Sequence, residues 1–260
     1  MQAGSARITF DTMQTAVQTR ESHPAHFTIL VALSVVFLSQ VLQTPAQSFQ
    51  LNPARDGIIL GSGLLFAGLG ELLVSFSHPM VTTPPDISRV PIFDQAAMFR
   101  YSKDADTVSS VLQFATLSVP LLLSVSAKPD STISAGVVYA ESLALAYGTK
   151  NVLKFLFPRA RPYNYSGGAP GVDSSEDEQS FPSGHATMSF TAAAFSAYLF
   201  SRGLPGTANY FPFVIVNFSL AGLTSSYRVL SGMHFLSDIV AGAVIGVVCG
   251  FVVPSLIRAL

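Results

Sequence analysis

Seven apolar stretches recur along this 260-residue chain, and they constrain its fold more than any other feature. They run approximately His26–Gln43, Gly57–Phe76, Val108–Ala127, Ile133–Phe157, Ala186–Phe200, Tyr210–Tyr227 and Ile239–Ile257. About 20 apolar residues, rising roughly 1.5 Å each, cross the hydrocarbon core of a bilayer as a helix. Composition agrees: 49% of residues are hydrophobic and only 11% charged, against roughly 25% charged in an average soluble domain. Seven such runs leave almost no polar faces for a soluble helical protein to present to water. The expected fold is all-α, a polytopic membrane helix bundle. The fifth stretch is short, and Thr187, Ser189 and Thr191 make its start polar. It reads as a helix whose first turn faces a protein cavity rather than lipid. Gly and other small residues, as in Gly57–Gly70 and Ala241–Gly250, let helices approach closely.

The chain divides into an N-terminal tail with one hydrophobic segment, residues 1–50, and a six-span domain, residues 51–260. No repeat or linker marks a further domain. The first stretch admits two readings: a retained span, or a secretory signal with Arg20 before it and Thr44-Pro45-Ala46 as a cleavage site. Lys128–Thr132 reads as a tight turn. Ser77–Thr107 is broken by Pro79, Pro84, Pro85 and Pro91, and Ile92–Phe99 within it suits an amphipathic interfacial helix. Net charge is -1, so neither a nucleic-acid footprint nor a polybasic membrane patch is present. The single cysteine, Cys249, excludes an intrachain disulfide and a Cys-cluster metal site.

The informative polar residues gather at span ends. Lys150 and Lys154 share a helical face at the end of the fourth span, with Arg159 and Arg161 just after. Alone these read as snorkelling cations. Phe181-Pro182-Ser183-Gly184-His185 precedes the fifth span, where free backbone N–H groups and the helix dipole favour an anion. Between the sixth and seventh spans, Arg228 is followed six residues later by His234, and Asp238 comes four after that. A carboxylate held to one imidazole nitrogen fixes the tautomer and leaves the other as a nucleophile. If every stretch crosses, the ends carrying Lys154, Arg161, Ser183, His185, Arg228, His234 and Asp238 meet at one membrane face. Fixed cations, backbone donors and two imidazoles describe a phosphate site with a nucleophile and an acid.

These residues resemble the type 2 phosphatidic acid phosphatase superfamily, in its membrane lipid phosphatase branch. The family's first motif, Lys, six residues, Arg-Pro, is Lys154 to Arg161-Pro162. Its second, Pro-Ser-Gly-His, is Pro182 to His185. Its third reads Tyr227-Arg228, His234, Asp238, with Tyr227 where Ser is usual. The six later stretches are similar to the family's six-span core. The resemblance implies a hydrolase that dephosphorylates a lipid phosphate or diphosphate without a metal or cofactor. It assigns Lys154, Arg161 and Arg228 to the phosphate oxygens, and Ser183 and the Gly184 amide to further hydrogen bonds. His234 would attack phosphorus and become phosphohistidine, oriented by Asp238. His185 would protonate the leaving oxygen and then activate water. Three cations can supply the charge that magnesium supplies elsewhere.

Other polar residues carry lesser expectations. Glu141, about 20 Å along the helix from Lys154, is expected to serve in helix–helix hydrogen bonding. The acidic run Asp173, Glu176, Asp177, Glu178 is expected to be a solvated loop face. Arg159 and Lys150 are extra cations with no role assigned. Polyprenyl diphosphate, phosphatidic acid, phosphatidylglycerophosphate and lipid A are the substrates the resemblance implies, with the bilayer as partner and no obligate protein partner evident. A phosphatase for small soluble esters, or a non-catalytic lipid-binding or transport protein, are the alternatives. The expected place is a bacterial inner membrane with the site at its outer face. Arg7, Arg20, Arg89, Arg100 and Lys103 lean the other way.

Overall fold

The structure, a computed structural model, describes residues 49–76, 85–125, 129–203 and 210–259. All of them belong to one compact unit, Val41–Leu260. The first predicted stretch, His26–Gln43, lies outside the described residues, as does Lys128; the rest of the predicted turn Lys128–Thr132 is not a turn but the start of the helix that begins at Pro129.

Six long helices follow the six later stretches. They are α1 (Pro53–Ser75), α3 (Lys103–Val125), α4 (Pro129–Leu156), α5 (Gly184–Gly203), α6 (Tyr210–Leu230) and α7 (Leu236–Ala259). A single turn, α2 (Ile92–Gln95), interrupts the loop before α3. The described residues contain no β-strand beyond one isolated bridge, Arg159 with Gln179. The fold is an all-α membrane bundle. By length and composition, Pro53–Ser75, Lys103–Ser124, Tyr210–Leu230 and Leu236–Ile257 can cross a membrane. The helices α4 and α5 are too polar for that description, for a physical reason. Thr187, Ser189 and Thr191 of α5 are fully buried, as is the run Ala192–Ala194. A helix surrounded by protein does not need a uniformly apolar surface. The polar start of α5 is therefore enclosed by protein rather than lipid, as its composition implies.

Local chemistry starts the helices. Asn52 caps α1 by accepting from the Ala54 and Arg55 amides, with Pro53 at the first position. Ser183 caps α5 through its hydroxyl, 3.4 Å from the Ala186 amide. The first turn of α7 is closed by Asp238, whose Oδ2 accepts from the Phe235 amide at 2.8 Å. This is the reach-back half of a capping box.

α7 has two faces. Val240, Val244, Val248, Val252 and Leu256 are exposed at every fourth position, as are Leu65 of α1 and Phe114 of α3. These form lipid-facing surface. On the other face, Gly242, Gly246 and Gly250 lie against the α5 backbone. A Cβ at Gly242 would sit 2.6 Å from the Ser183 carbonyl oxygen, and one at Gly250 2.5 Å from that of Thr191. The glycine stripe thus brings α5 and α7 to backbone contact, as small residues do in membranes.

Chain direction follows from the pairings. Gly63 of α1 faces Ala144 of α4 and Gly70 faces Asn151, so these two helices run parallel. Glu71 ties them by accepting from Tyr147 Oη at 2.8 Å and Asn151 Nδ2 at 2.7 Å. The C-termini of α1, α4 and α6 and the N-termini of α3, α5 and α7 therefore share one end. Glu141 does not take the part expected of it. Neither carboxyl oxygen has a hydrogen-bond partner among the described residues.

Candidate active site

At that shared end the residues singled out by spacing converge. Lys154, Arg161, Ser183, Arg228, His234 and Asp238 are all buried, while Gly184 and His185 are half-buried. His234 interacts electrostatically with Arg161, Arg228 and Lys154. His185 interacts with the same three cations and with His234.

The turn that delivers His234 needs a glycine. Gly232 has φ +72°, and a Cβ there would lie 2.5 Å from the Phe99 carbonyl oxygen. An L side chain meets both backbone strain and a clash. The Gly232 carbonyl accepts from the Tyr163 amide at 3.0 Å, tying this turn to the segment after Arg161.

The geometry of His234 differs from the direct His–Asp pair expected from the i,i+4 spacing. Its Nδ1 is 2.7 Å from the Ser180 carbonyl oxygen and 3.8 Å from Asp238 Oδ2. A carbonyl oxygen only accepts, so Nδ1 carries the proton and Nε2 the lone pair. Asp238 acts through Ser180 instead: the Ser180 hydroxyl donates to Oδ2 at 2.6 Å. Oδ1 accepts from Arg159 Nη1 at 2.6 Å, and the Ser183 amide donates to the Asp238 carbonyl at 3.1 Å. Burial, followed by the charges of Arg161, Arg228 and Lys154, lowers the His234 pKa well below its ordinary value. The imidazole is therefore neutral at physiological pH.

Each cation is held by an acceptor on another element. Arg161 donates from Nη2 to Glu176 Oε2 at 2.7 Å and from Nε to the Glu176 carbonyl at 2.8 Å. Lys154 donates to the Gln179 carbonyl. Arg228 pairs with Asp106 on α3, while its buried Nε has no partner among the described residues. The Ser110 hydroxyl lies 3.3 Å from His185 Nε2. The loop acids are thus not merely a solvated face. Glu176 binds Arg161, and Asp177 accepts from Tyr163 Oη at 2.8 Å. Lys150 contacts Asn151 and stacks on the Tyr147 ring, 3.9 Å from its centroid.

The sequence reading did not assign five contributors to the site: Ser180, Arg159, Asp94, Asp106 and Glu176. Ser180 acts on His234 through a main-chain carbonyl, which any residue offers. Asp106 and Asp94 come from distant segments without diagnostic spacing. The predicted interfacial helix at Ile92–Phe99 shrinks to α2. Ile92 and Phe93 are exposed there, but Asp94 turns fully inward. The chemistry of the cluster is that of an anion pocket: three cations around an imidazole with a bare nitrogen, beside a second imidazole. Among the described residues no group of three or more His, Cys, Asp or Glu side chains is arranged to hold a metal ion.

The fold and this cluster define a helical integral-membrane protein with a cation-lined site at one end of its bundle. Comparison with known proteins gives a match in the C-terminal part of the chain: residues 135–260 match the model of the PAP2 superfamily. A curated relative named "Probable lipid phosphate phosphatase beta", from Arabidopsis thaliana, is 34% identical over 117 residues. That match covers 37% of this chain and 54% of the relative, so the chain spans about half of that protein's length. The crystal structure of a transmembrane PAP2-type phosphatidylglycerolphosphate phosphatase from Bacillus subtilis is similar at 20% identity. The comparison covers 88% of this chain and 96% of that one, with a TM-score of 0.37.

Proposed function

We propose that this protein is a metal-independent lipid phosphatase working through a phosphohistidine on His234. The observation that carries the reading is the fixed tautomer. The Ser180 carbonyl holds the proton on Nδ1 and leaves Nε2 as a neutral nucleophile among three cations. In the first step Nε2 bonds to phosphorus and the bond from phosphorus to the lipid oxygen breaks. That oxygen leaves with a proton from His185. In the second step water attacks phosphorus, His185 takes its proton, the N–P bond breaks and inorganic phosphate departs. Lys154, Arg161 and Arg228 offset charge that builds on the phosphoryl oxygens, and the unpartnered Arg228 Nε offers a donor for one of them. Ser183 and the Gly184 amide, at the start of α5, add hydrogen bonds.

A groove of about 880 Å³ between α4 and α7 favours a lipid over a small soluble ester. Leu153, Phe157, Phe181, Val244 and Ile245 line it, together with Arg159. Its apolar walls suit a hydrocarbon chain. The name of the Arabidopsis relative points the same way. The test is phosphate release by purified protein in detergent with excess EDTA. The panel is phosphatidic acid, phosphatidylglycerophosphate, undecaprenyl diphosphate and a soluble ester, with His234→Ala as control. We expect release from a lipid that survives EDTA and vanishes in the variant. Release that needs a divalent ion, or persists without His234, would overturn the mechanism.

The family resemblance supports a site on the outer face of a bacterial inner membrane. A Ser175→Cys variant reports on this, because the native Cys249 is buried. Labelling of intact cells by an impermeant maleimide is the expected outcome, and labelling only after lysis would reverse the orientation.

A further inference from the structure

We propose that Arg159, clamped by the buried Asp94, is the positioning residue that fixes the catalytic imidazole through Asp238 and Ser180. The proposal rests on the reading of His234 as nucleophile and deepens it. Arg159 uses separate nitrogens for separate partners. Nη2 donates to Asp94 Oδ2 at 2.8 Å, and Nη1 donates to Asp238 Oδ1 at 2.6 Å and to the Ser237 hydroxyl at 2.7 Å. Ser237 in turn donates its hydroxyl to Asp94 Oδ2 at 2.6 Å and its amide to Oδ1 at 2.9 Å. The Phe235 ring lies under the guanidinium, 4.1 Å from centroid to Cζ, and sets its plane. The guanidinium is thus held on a face and on two edges.

The clamp reaches the nucleophile by a single chain of contacts. Asp238, fixed on Oδ1 by Arg159, holds the Ser180 hydroxyl on Oδ2. Ser180, fixed by its hydroxyl, presents its carbonyl to His234 Nδ1. Three separate elements meet in this chain: α2, the segment after α4, and the start of α7. None could fix the imidazole alone, since His234 and Asp238 are 3.8 Å apart. Arg159 is already engaged by two carboxylates, which separates it from Arg161 and Arg228, each paired with one. Its work is orientation rather than phosphate binding. Partners that orient a histidine by hydrogen bonding in metal sites matter by about 10–100-fold in activity, a scale that carries over to an oriented nucleophile, and a misplacement of about 1 Å can cost about 100-fold.

The test is rapid-quench measurement of phosphoenzyme formation by the full-length protein in detergent micelles. The substrate is whichever ³²P-labelled lipid of the panel above the wild type turns over fastest. Arg159→Met, Arg159→Lys and Asp94→Asn are compared with wild type, together with inhibition by inorganic phosphate. Asparagine at 94 still accepts from the Ser237 amide but offers Arg159 no charge, so this variant keeps the cap of α7. The expected result is a rate constant lowered about 100-fold in Arg159→Met and about tenfold in Asp94→Asn. Arg159→Lys should recover part of the loss. Inhibition by phosphate should stay within about threefold, because the three phosphate cations are untouched. A lower burst amplitude with an unchanged rate constant would mean a structural role only, and would overturn the proposal. Phosphate inhibition weakened more than the rate constant would make Arg159 a phosphate ligand, and would overturn it too. Absence of any phosphoenzyme in wild type would bring down the nucleophile reading itself. That outcome is distinct from a wild-type burst that the Arg159 variants preserve.

Discussion

His234 is neutral and correctly protonated because of what surrounds it. Burial and three cations disfavour its charged form, and the Ser180 carbonyl claims the Nδ1 proton. This has a consequence for stability. The folded protein binds fewer protons at His234 than the unfolded chain does once pH falls below the ordinary histidine value of about 6.5. The contribution is fully present above that pH and is lost as acid approaches the lower folded value. His234→Gln should therefore show a shallower fall in thermal midpoint between pH 7.5 and pH 5 than wild type. Equal slopes would deny the shift. The proposed mechanism gives His185 a separate task as acid and then base. Replacing it by Asn should lower kcat by about 10²–10⁴-fold, the usual contribution of a positioned proton donor. Phosphoenzyme formation should slow, and phosphoenzyme already formed should hydrolyse slowly. Steady-state and single-turnover rates measured together check both steps.

The pair α5 and α7 decides whether the site exists. Its two histidines sit at the starts of these helices, and the glycine stripe sets their spacing. A Cβ at Gly246 would meet the Thr187 carbonyl and lie 2.8 Å from the Thr191 amide. Gly246→Val should force the helices apart, lowering stability by about 1–3 kcal/mol through overpacking and activity with it. The exposed neighbour Val248 provides the control: Val248→Ala should change neither. The readout is the monodisperse fraction surviving a heating series in detergent, alongside lipid phosphatase rate. Equal tolerance at both positions would mean that the stripe does not set the helix spacing.

Among the described residues, alternating helix direction brings one end of each long helix to the end of the bundle that holds the cluster, and leaves apolar faces for lipid. In the proposed mechanism the charge to be offset falls to Lys154, Arg161 and Arg228, each braced by an acceptor from another segment. Arg161→Met should therefore weaken inorganic phosphate as an inhibitor as well as slow turnover. That double effect, measured as separate inhibition constant and kcat, distinguishes a phosphate ligand from the positioning role proposed for Arg159. A change in kcat alone would contradict its assignment.

The amino-acid order by itself determined the helices and the ends at which the chemistry gathers. Both follow from local rules: the length of apolar runs, the helix entrance at Ser183-Gly184, and the parity of crossings. It also supplied the eight residues proposed for the site, since their spacings along Lys154–Arg161, Pro182–His185 and Arg228–Asp238 are short-range. What only the tertiary structure decided is how these residues are held. Asp94 and Asp106 reach their arginines across 65 and 122 residues, and no spacing encodes such a meeting. The i,i+4 rule brought His234 near Asp238 but could not show that the Ser180 carbonyl would stand at Nδ1. A main-chain acceptor has no side-chain signature, so its place is known only once the loop before α5 is folded against the start of α7.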